Sequence, residues 1–401
     1  MPLKRAARVI AGQSPPSEDV SELDGTELPF IQGNAEFGPL HPVPRLQCAT
    51  APKRATRGDV LLSVRAPVGA LNVADRPLGI GRGLCAIRPG TSLDPTFAWW
   101  MAVAVAPQLA ALATGATYDA VSADNVQSLP IALPPLRKQR AIADYLDRET
   151  ARIDALIAAR RRMLELLGEQ VRARVDRGIR GDITAVAYTR STVIGPVPRD
   201  WDVMHLRRVA SIYSGTTFPH EYQGRATGDY PLFKVADLAT PGNETLLGAS
   251  ENWVDQADLP ILRAKLIPAR SVVFPRVGAA LLLNARRITT RPSLLDDNSR
   301  ALHFRCGDVR YWRYLMTLID FGELANPGAV PTIGENAILS LTIPVPPEST
   351  QRSIADLLDA ASVQSSKLRV AIGQQVALLQ ERREALITAA ISGHSAKSEA
   401  A

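Results

Sequence analysis

The stretch Leu133–Asp147 reads L-P-P-L-R-K-Q-R-A-I-A-D-Y-L-D, and Val345–Asp359 reads V-P-P-E-S-T-Q-R-S-I-A-D-L-L-D. Pro134 recurs as Pro346, a shift of 212 positions (346 minus 134). At that shift Leu129, Ile131, Pro135, Gln139, Arg140, Ile142, Ala143, Asp144, Leu146 and Asp147 all meet identical residues, and Gly181 meets Gly393. Identity this dense at one fixed offset marks an internal repeat, which must be settled before local patterns are weighed.

Each copy opens with a Pro-Pro stop and runs on as a helical pattern. In the first, Leu146, Ile153, Arg160, Leu167 and Arg174 recur every seven residues, with Leu156, Met163 and Leu164 between them. In the second, Leu358, Ser365, Ile372, Leu379 and Leu386 do the same, joined by Leu368 and Val376. A sevenfold, mostly apolar stripe suits pairing with another helix. Residues 137–180 predict a rod of about 66 Å at about 1.5 Å per residue, with Gly181 and Gly393 as stops. A helix this long cannot bury its own stripe, so the two most simply pair. The alternative is that each lies on its neighbouring globule.

The segments before the helices correspond more loosely. Leu3–Gly12 resembles Leu206–Gly215, and Pro29–Gln32 parallels Pro231–Lys234. Gly58–Gly69 parallels Ala269–Gly278, with Arg65 set against Arg276. Short β-rich runs between Gly, Pro and Asn turns predict α/β globules. The expected order is a globule over 1–136, a helix over 137–181, a linker and second globule over 182–347, a helix over 348–393 and a flexible tail over 394–401. The inner sequences of the globules differ: 76–88 and 286–305 share almost nothing. One shared job for the helices and a separate recognition task for each globule follow from that contrast.

The composition of the 401 residues, 46% hydrophobic and 21% charged, is that of a globular protein. A net charge of +6 and a pI near 9.4 lean toward an anionic partner. Cys48, Cys85 and Cys306 lack any C-x-x-C spacing, so neither a disulfide framework nor a zinc site is expected, and a reducing cytoplasm fits. The basic start is not followed by an apolar core, so no signal peptide is expected. Phe97–Ala113 approaches the length of a membrane span but is broken by Pro107 and Gln108. Its counterpart, Tyr311–Phe321, carries Arg313 and Asp320, which points to a buried helix and no membrane.

A search for chemistry finds little. G-I-G-R-G (79–83) is followed by L-C-A-I-R-P-G, which reads as a strand, whereas a phosphate loop needs a helix there. Leu133 and Val345 stand before Pro-Pro where an adenine methyltransferase needs a side-chain amide acceptor. The five histidines show no ligand spacing and no P-loop occurs, so no catalytic or metal residue is nominated. Residues 137–180 hold 12 Lys/Arg against 7 Asp/Glu, with Arg160, Arg161 and Arg162 in one knot. That knot is either a solvated helix face or a track for a phosphate backbone.

The doubled P-P-x-x-x-Q-R-x-I-A-x-x-L-D, each followed by a long helix, resembles the specificity subunits of type I restriction-modification systems. The resemblance implies two target-recognition domains held apart by an antiparallel coiled coil. Each domain would read half of a bipartite double-stranded DNA site, with the helices helping to set the spacer. It also implies two modification subunits, which bind S-adenosylmethionine, and a restriction subunit, with no cofactor in this chain. The helix-start motif falls on Pro134, Pro135, Gln139 and Arg140, and again on Pro346, Pro347, Gln351 and Arg352, which become candidates for partner docking. The family's usual lead-in is present as G-P-V-P-R-D-W (195–201) only before the second globule, and Lys138 and Thr350 replace its Glu. Loop residues able to read bases are Lys53, Arg54, Arg57, Arg65, Arg82 and Tyr118 in the first domain. In the second they are Thr216, Tyr222, Lys234, Arg276, Arg286, Arg287 and Arg300. A coiled-coil adaptor joining two protein-binding domains, without nucleic acid, is the competing reading.

Overall fold

The computed structural model describes residues 1–113, 120–181, 188–326, 328 and 330–393, with 188–191 as backbone only. The chain divides into two compact units, Met1–Arg162 with Ile372–Ala401, and Met163–Ala371. Each unit holds one globular head and parts of both long helices, Leu136–Arg180 and Glu348–Ser392.

In the first unit, a four-stranded antiparallel sheet runs in the order Ala7–Ala11, Leu84–Pro89, Val60–Ser63, Leu71–Val73. A five-stranded mixed sheet carries Pro29–Ile31 parallel to Leu78–Ile80. The G-I-G-R-G stretch is the end of Leu78–Ile80 and the turn into Leu84–Pro89. Its glycines serve close packing: a Cβ on Gly79 would fall 2.6 Å from the Ala51 methyl, and one on Gly81 2.8 Å from Gln32 Cα. The apolar helix Pro95–Ala113 is the one described helix with the length and composition to cross a membrane. It buries Phe97, Trp100, Met101 and Leu109 in a core shared with Val60, Leu62 and Ile87.

The second unit repeats this plan. Ala210–Ser214, Ser299–Phe304 and Ser271–Pro275 lie side by side, followed by Arg287–Thr289 and Leu246–Leu247. Tyr230–Phe233 runs parallel to Leu294–Leu295, as Pro29–Ile31 does to Leu78–Ile80. The helix Val309–Leu318 follows the long strand, as Pro95–Ala113 does in the first head. The register corrects one expected match. Val64 N–H donates to Gly83 O, and Arg276 N–H to Asn298 O, so Arg276 is the equivalent of Val64, not of Arg65. Arg65 instead matches Val277, because both form the bridge to the returning chain, at Ala120 and Thr332. A one-residue slip reverses the face a strand residue presents.

The repeated motif proves to be the joint between head and helix. Gln139 is fully buried: its Oε1 accepts from Asp94 N–H at 2.8 Å, and its Nε2 donates to Ser92 O and Pro134 O. Gln351 does the same with Asp308 N–H and Pro346 O. Gly307 must be glycine there, since its φ is +80° and a Cβ would lie 2.3 Å from Gln351 Oε1. The motif's last residue closes the joint, with Trp100 Nε1 donating to Asp147 at 2.8 Å and Tyr314 Oη to Asp359 at 2.7 Å.

The second joint adds charge. Arg310 donates to Asp308, Asp356 and Asp359. Burial lifts the Asp308 carboxyl, but hydrogen bonds and charge from Arg310 outweigh it and leave the pKa below its ordinary 3.8. A depressed carboxyl stabilises the fold above its unfolded pKa, and that contribution fades as pH falls through the folded value. Arg310→Gln is therefore expected to lose about 1 kcal/mol at pH 7. The gap to the wild type should narrow below about pH 4 in urea unfolding run from pH 7 to 3.

Within each unit the two helices run antiparallel. In the first, Arg383 donates to Asp154 at 2.9 Å, and Leu156, Arg160, Leu378 and Leu379 line one groove. In the second, Gly178 packs beside Leu358 and Ile354, and Gly168 beside Arg369. Leu146, Ile153, Ile157, Val175 and Ile179 are the large apolar side chains buried along the first helix. The expected Leu156 and Met163 are 43% and 41% exposed, and Val175 is buried where Arg174 was expected. An α-helix turns every 3.6 residues, so a strict sevenfold count drifts about 20° per heptad and misplaces its last members.

Candidate nucleic-acid interface

The sequence nominations separate by burial. Lys53, Arg54, Arg57, Arg65 and Arg82 are exposed on the first head, and Arg161 and Arg162 on the first long helix, while Arg160 is half-buried. The Arg65 and Arg82 segments adjoin through the bond from Val64 N–H to Gly83 O. Arg54 is partly held by the Ala51 and Ala49 carbonyls. Tyr118 lies outside the described residues.

On the second head, Thr216, Tyr222, Lys234, Arg276, Arg287 and Arg300 are half-buried. Arg276 Nε and Arg300 Nη1 both donate to Asp297 O, which brings two nominated cations together. Lys234 Nζ donates to Gln223 and sits 5.5 Å from the Phe218 ring. Arg287 is tied to Leu238 O and Arg286 O.

Arg286 must be withdrawn. It is 1% exposed, and its guanidinium lies 4.0 Å from the Phe321 ring and 5.5 Å from that of Phe274. It donates to Met316 O and Ile319 O and cannot reach a duplex from the core. Among the docking candidates, Gln139, Gln351 and Pro346 are buried in the joints and withdrawn as well. Pro134 is half-buried, while Pro135, Arg140, Pro347 and Arg352 remain at the surface.

Of the residues lining a groove of about 680 Å³ in the second head, the sequence pointed to Thr216 alone. Tyr213, Ser214, Thr216, Arg263, Lys265 and Glu335 line it. Such a polar concavity with basic walls suits a strongly charged, hydrogen-bonding partner. Lys265 and Arg263 carried no sequence signal beyond their charge. Comparing the two halves at the fixed shift would have flagged Glu335, which replaces Ala123.

Two like heads joined in the same manner to a pair of long helices define a duplicated recognition scaffold. A family described as type I restriction modification DNA specificity domain matches residues 46–166. The MjaX type I restriction enzyme specificity subunit of Methanocaldococcus jannaschii is 39% identical over 159 residues, 39% of this chain and 36% of its own length. The MjaIX specificity subunit of the same organism is 21% identical over 287 residues, 68% of this chain and 64% of that one. The chain thus spans about a third of the one relative and under two thirds of the other. A chain solved in work on assembly and conformational transition of the type I R-M system superposes with a TM-score of 0.78 at 18% identity, covering 98% of this chain and 96% of that one. The HsdS subunit of Thermoanaerobacter tengcongensis gives 0.54 at the same identity and coverage. Over residues 46–166 the chain is thus similar to type I restriction modification DNA specificity domains, and along nearly its whole length it shares the fold of these solved chains.

Proposed function

We propose that this chain is the non-catalytic subunit that gives a type I restriction-modification enzyme its DNA sequence specificity. Each head reads one half of a split site, and the helix pair sets the spacer between halves. The observation that carries this reading is one frame built twice with different inner sequences, as two half-sites of unlike sequence require. Two modification subunits, holding S-adenosylmethionine, dock on this chain, with Pro135, Arg140, Pro347 and Arg352 as surface candidates. A restriction subunit completes the enzyme, and the complex works in the cytoplasm on double-stranded DNA. Exposed Lys53, Arg57, Arg65, Arg82, Arg161 and Arg162 follow phosphates, so affinity should fall steeply with salt.

The test is a map of methylated adenines in the host genome with and without this chain. A split motif that vanishes with the gene supports the reading. An unchanged map, or methylation by the chain alone with the cofactor supplied, overturns it.

A ruler makes a separate prediction. Removing seven residues from each long helix shortens it by about 10 Å. At about 3.4 Å per base pair the preferred spacer should shrink by about three pairs, with both half-sequences kept. Selection from a pool of varied spacers reads this directly, and an unaltered spacer would show that the helices are not the ruler.

A further inference from the structure

The strand Ala210–Ser214 pairs with Ser299–Phe304 and sets Ser214 opposite Arg300. In the first head the equivalent pairing sets Ala11 opposite Cys85. The short helix Glu335–Leu339 corresponds to Ala123–Ser128, which makes Ala123 the counterpart of Glu335. One three-cornered position of the shared frame is thus Ser, Arg and Glu in one head, and Ala, Cys and Ala in the other.

The three polar side chains form a built acceptor. Ser214 Oγ donates to Glu335 Oε1 at 2.7 Å, and Arg300 Nε donates to the same oxygen at 3.2 Å. Glu335 Oε2 accepts no hydrogen bond among the described residues, and the side chain, 45% exposed, lines the groove of the second head. Arg300 is only 13% exposed and is itself fixed on Asp297 O and Ser299 O. The carboxylate is therefore held by one oxygen and free at the other, in a groove it shares with Arg263 and Lys265.

We propose that Glu335 Oε2 reads the exocyclic amine of a cytosine in the half-site of the second head. This rests on the DNA-reading role proposed above. In the major groove a carboxylate accepts from an amine and is repelled by guanine O6 and N7 and by thymine O4. Adenine N6 is flanked by the N7 acceptor, whereas cytosine N4 has no such neighbour, which favours cytosine. Basic walls attract any duplex equally, while a fixed acid selects by rejecting bases that cannot donate.

The test selects bound sequences from a randomised duplex pool with the full chain and its modification subunit, comparing wild type, Glu335→Gln and Glu335→Ala. In the glutamine variant, Ser214 and Arg300 keep the carbonyl oxygen inward, so the amide NH₂ faces the groove. The wild type should prefer cytosine at one position of one half-site. Glu335→Gln should move that preference to guanine or thymine by about tenfold, and Glu335→Ala should flatten it. The other half-site should be identical in all three and reports folding within the same molecules. The same base at every position in both variants, or loss of the whole second half-site, overturns the proposal. A wild type that selects no split site overturns the DNA-reading role itself.

Discussion

Gln139→Leu is expected to lower the unfolding free energy by about 3 kcal/mol, read as a fall in urea midpoint at constant slope. The side chain makes three hydrogen bonds, to Asp94 N–H, Ser92 O and Pro134 O, at 2.8, 2.9 and 2.8 Å. Leucine fills similar space but leaves those backbone groups without partners in the joint, and the cost of stranded groups exceeds the net value of the bonds themselves. Gln351→Leu should cost somewhat less, because that side chain makes two such bonds. If either variant unfolded at the wild-type midpoint, the joint would be ornament.

Arg286→Ala is expected to cost about 4 kcal/mol, combining a cavity beside Phe274 and Phe321 with two stranded carbonyls, Met316 O and Ile319 O. Burial pushes the guanidinium pKa down to about 9, so it stays protonated at neutral pH. A base depressed in the fold gives a stability that is level below the folded pKa and rises above it, so the loss should not vary between pH 6 and 8. Arg286→Lys should fall between, since an ammonium cannot stack on Phe321 while serving carbonyls in several directions. At a temperature where the variant remains folded, its DNA sequence preference should equal that of the wild type. A changed base preference would return Arg286 to the reading surface.

The repeat and the long helices were legible because the joint motif is copied residue for residue, and each member is used. Gln139 and Gln351 clip backbone, Ala143, Ala355, Leu146 and Leu358 are buried, and Asp147 and Asp359 close the joint. The same motif misled on role, since conserving a buried clip and exposing a docking patch leave one signature within a single chain. Arg286 was illegible for a different reason: an arginine reads as surface charge unless its aromatic neighbours, 12 and 35 residues away in sequence, are known to converge on it. The seam was legible at its start and blurred toward Val175, where helix pitch overtakes a sevenfold count. Glu335 was passed over because an acid looks misplaced in a reader of polyanions, and only its neighbours Ser214 and Arg300 give it a purpose.

The clip made by Gln139 addresses Ser92 O and Asp94 N–H, and that made by Gln351 addresses Asp308 N–H, all main-chain atoms. A clip that grips main chain asks little of the side chains around it, and the further demand is for a donor such as Trp100 or Tyr314 to meet the motif's closing Asp. A foreign head that keeps such a donor, spliced in just ahead of Pro134 or Pro346, should therefore seat without redesign of the shaft, so that whole heads could be exchanged as cartridges.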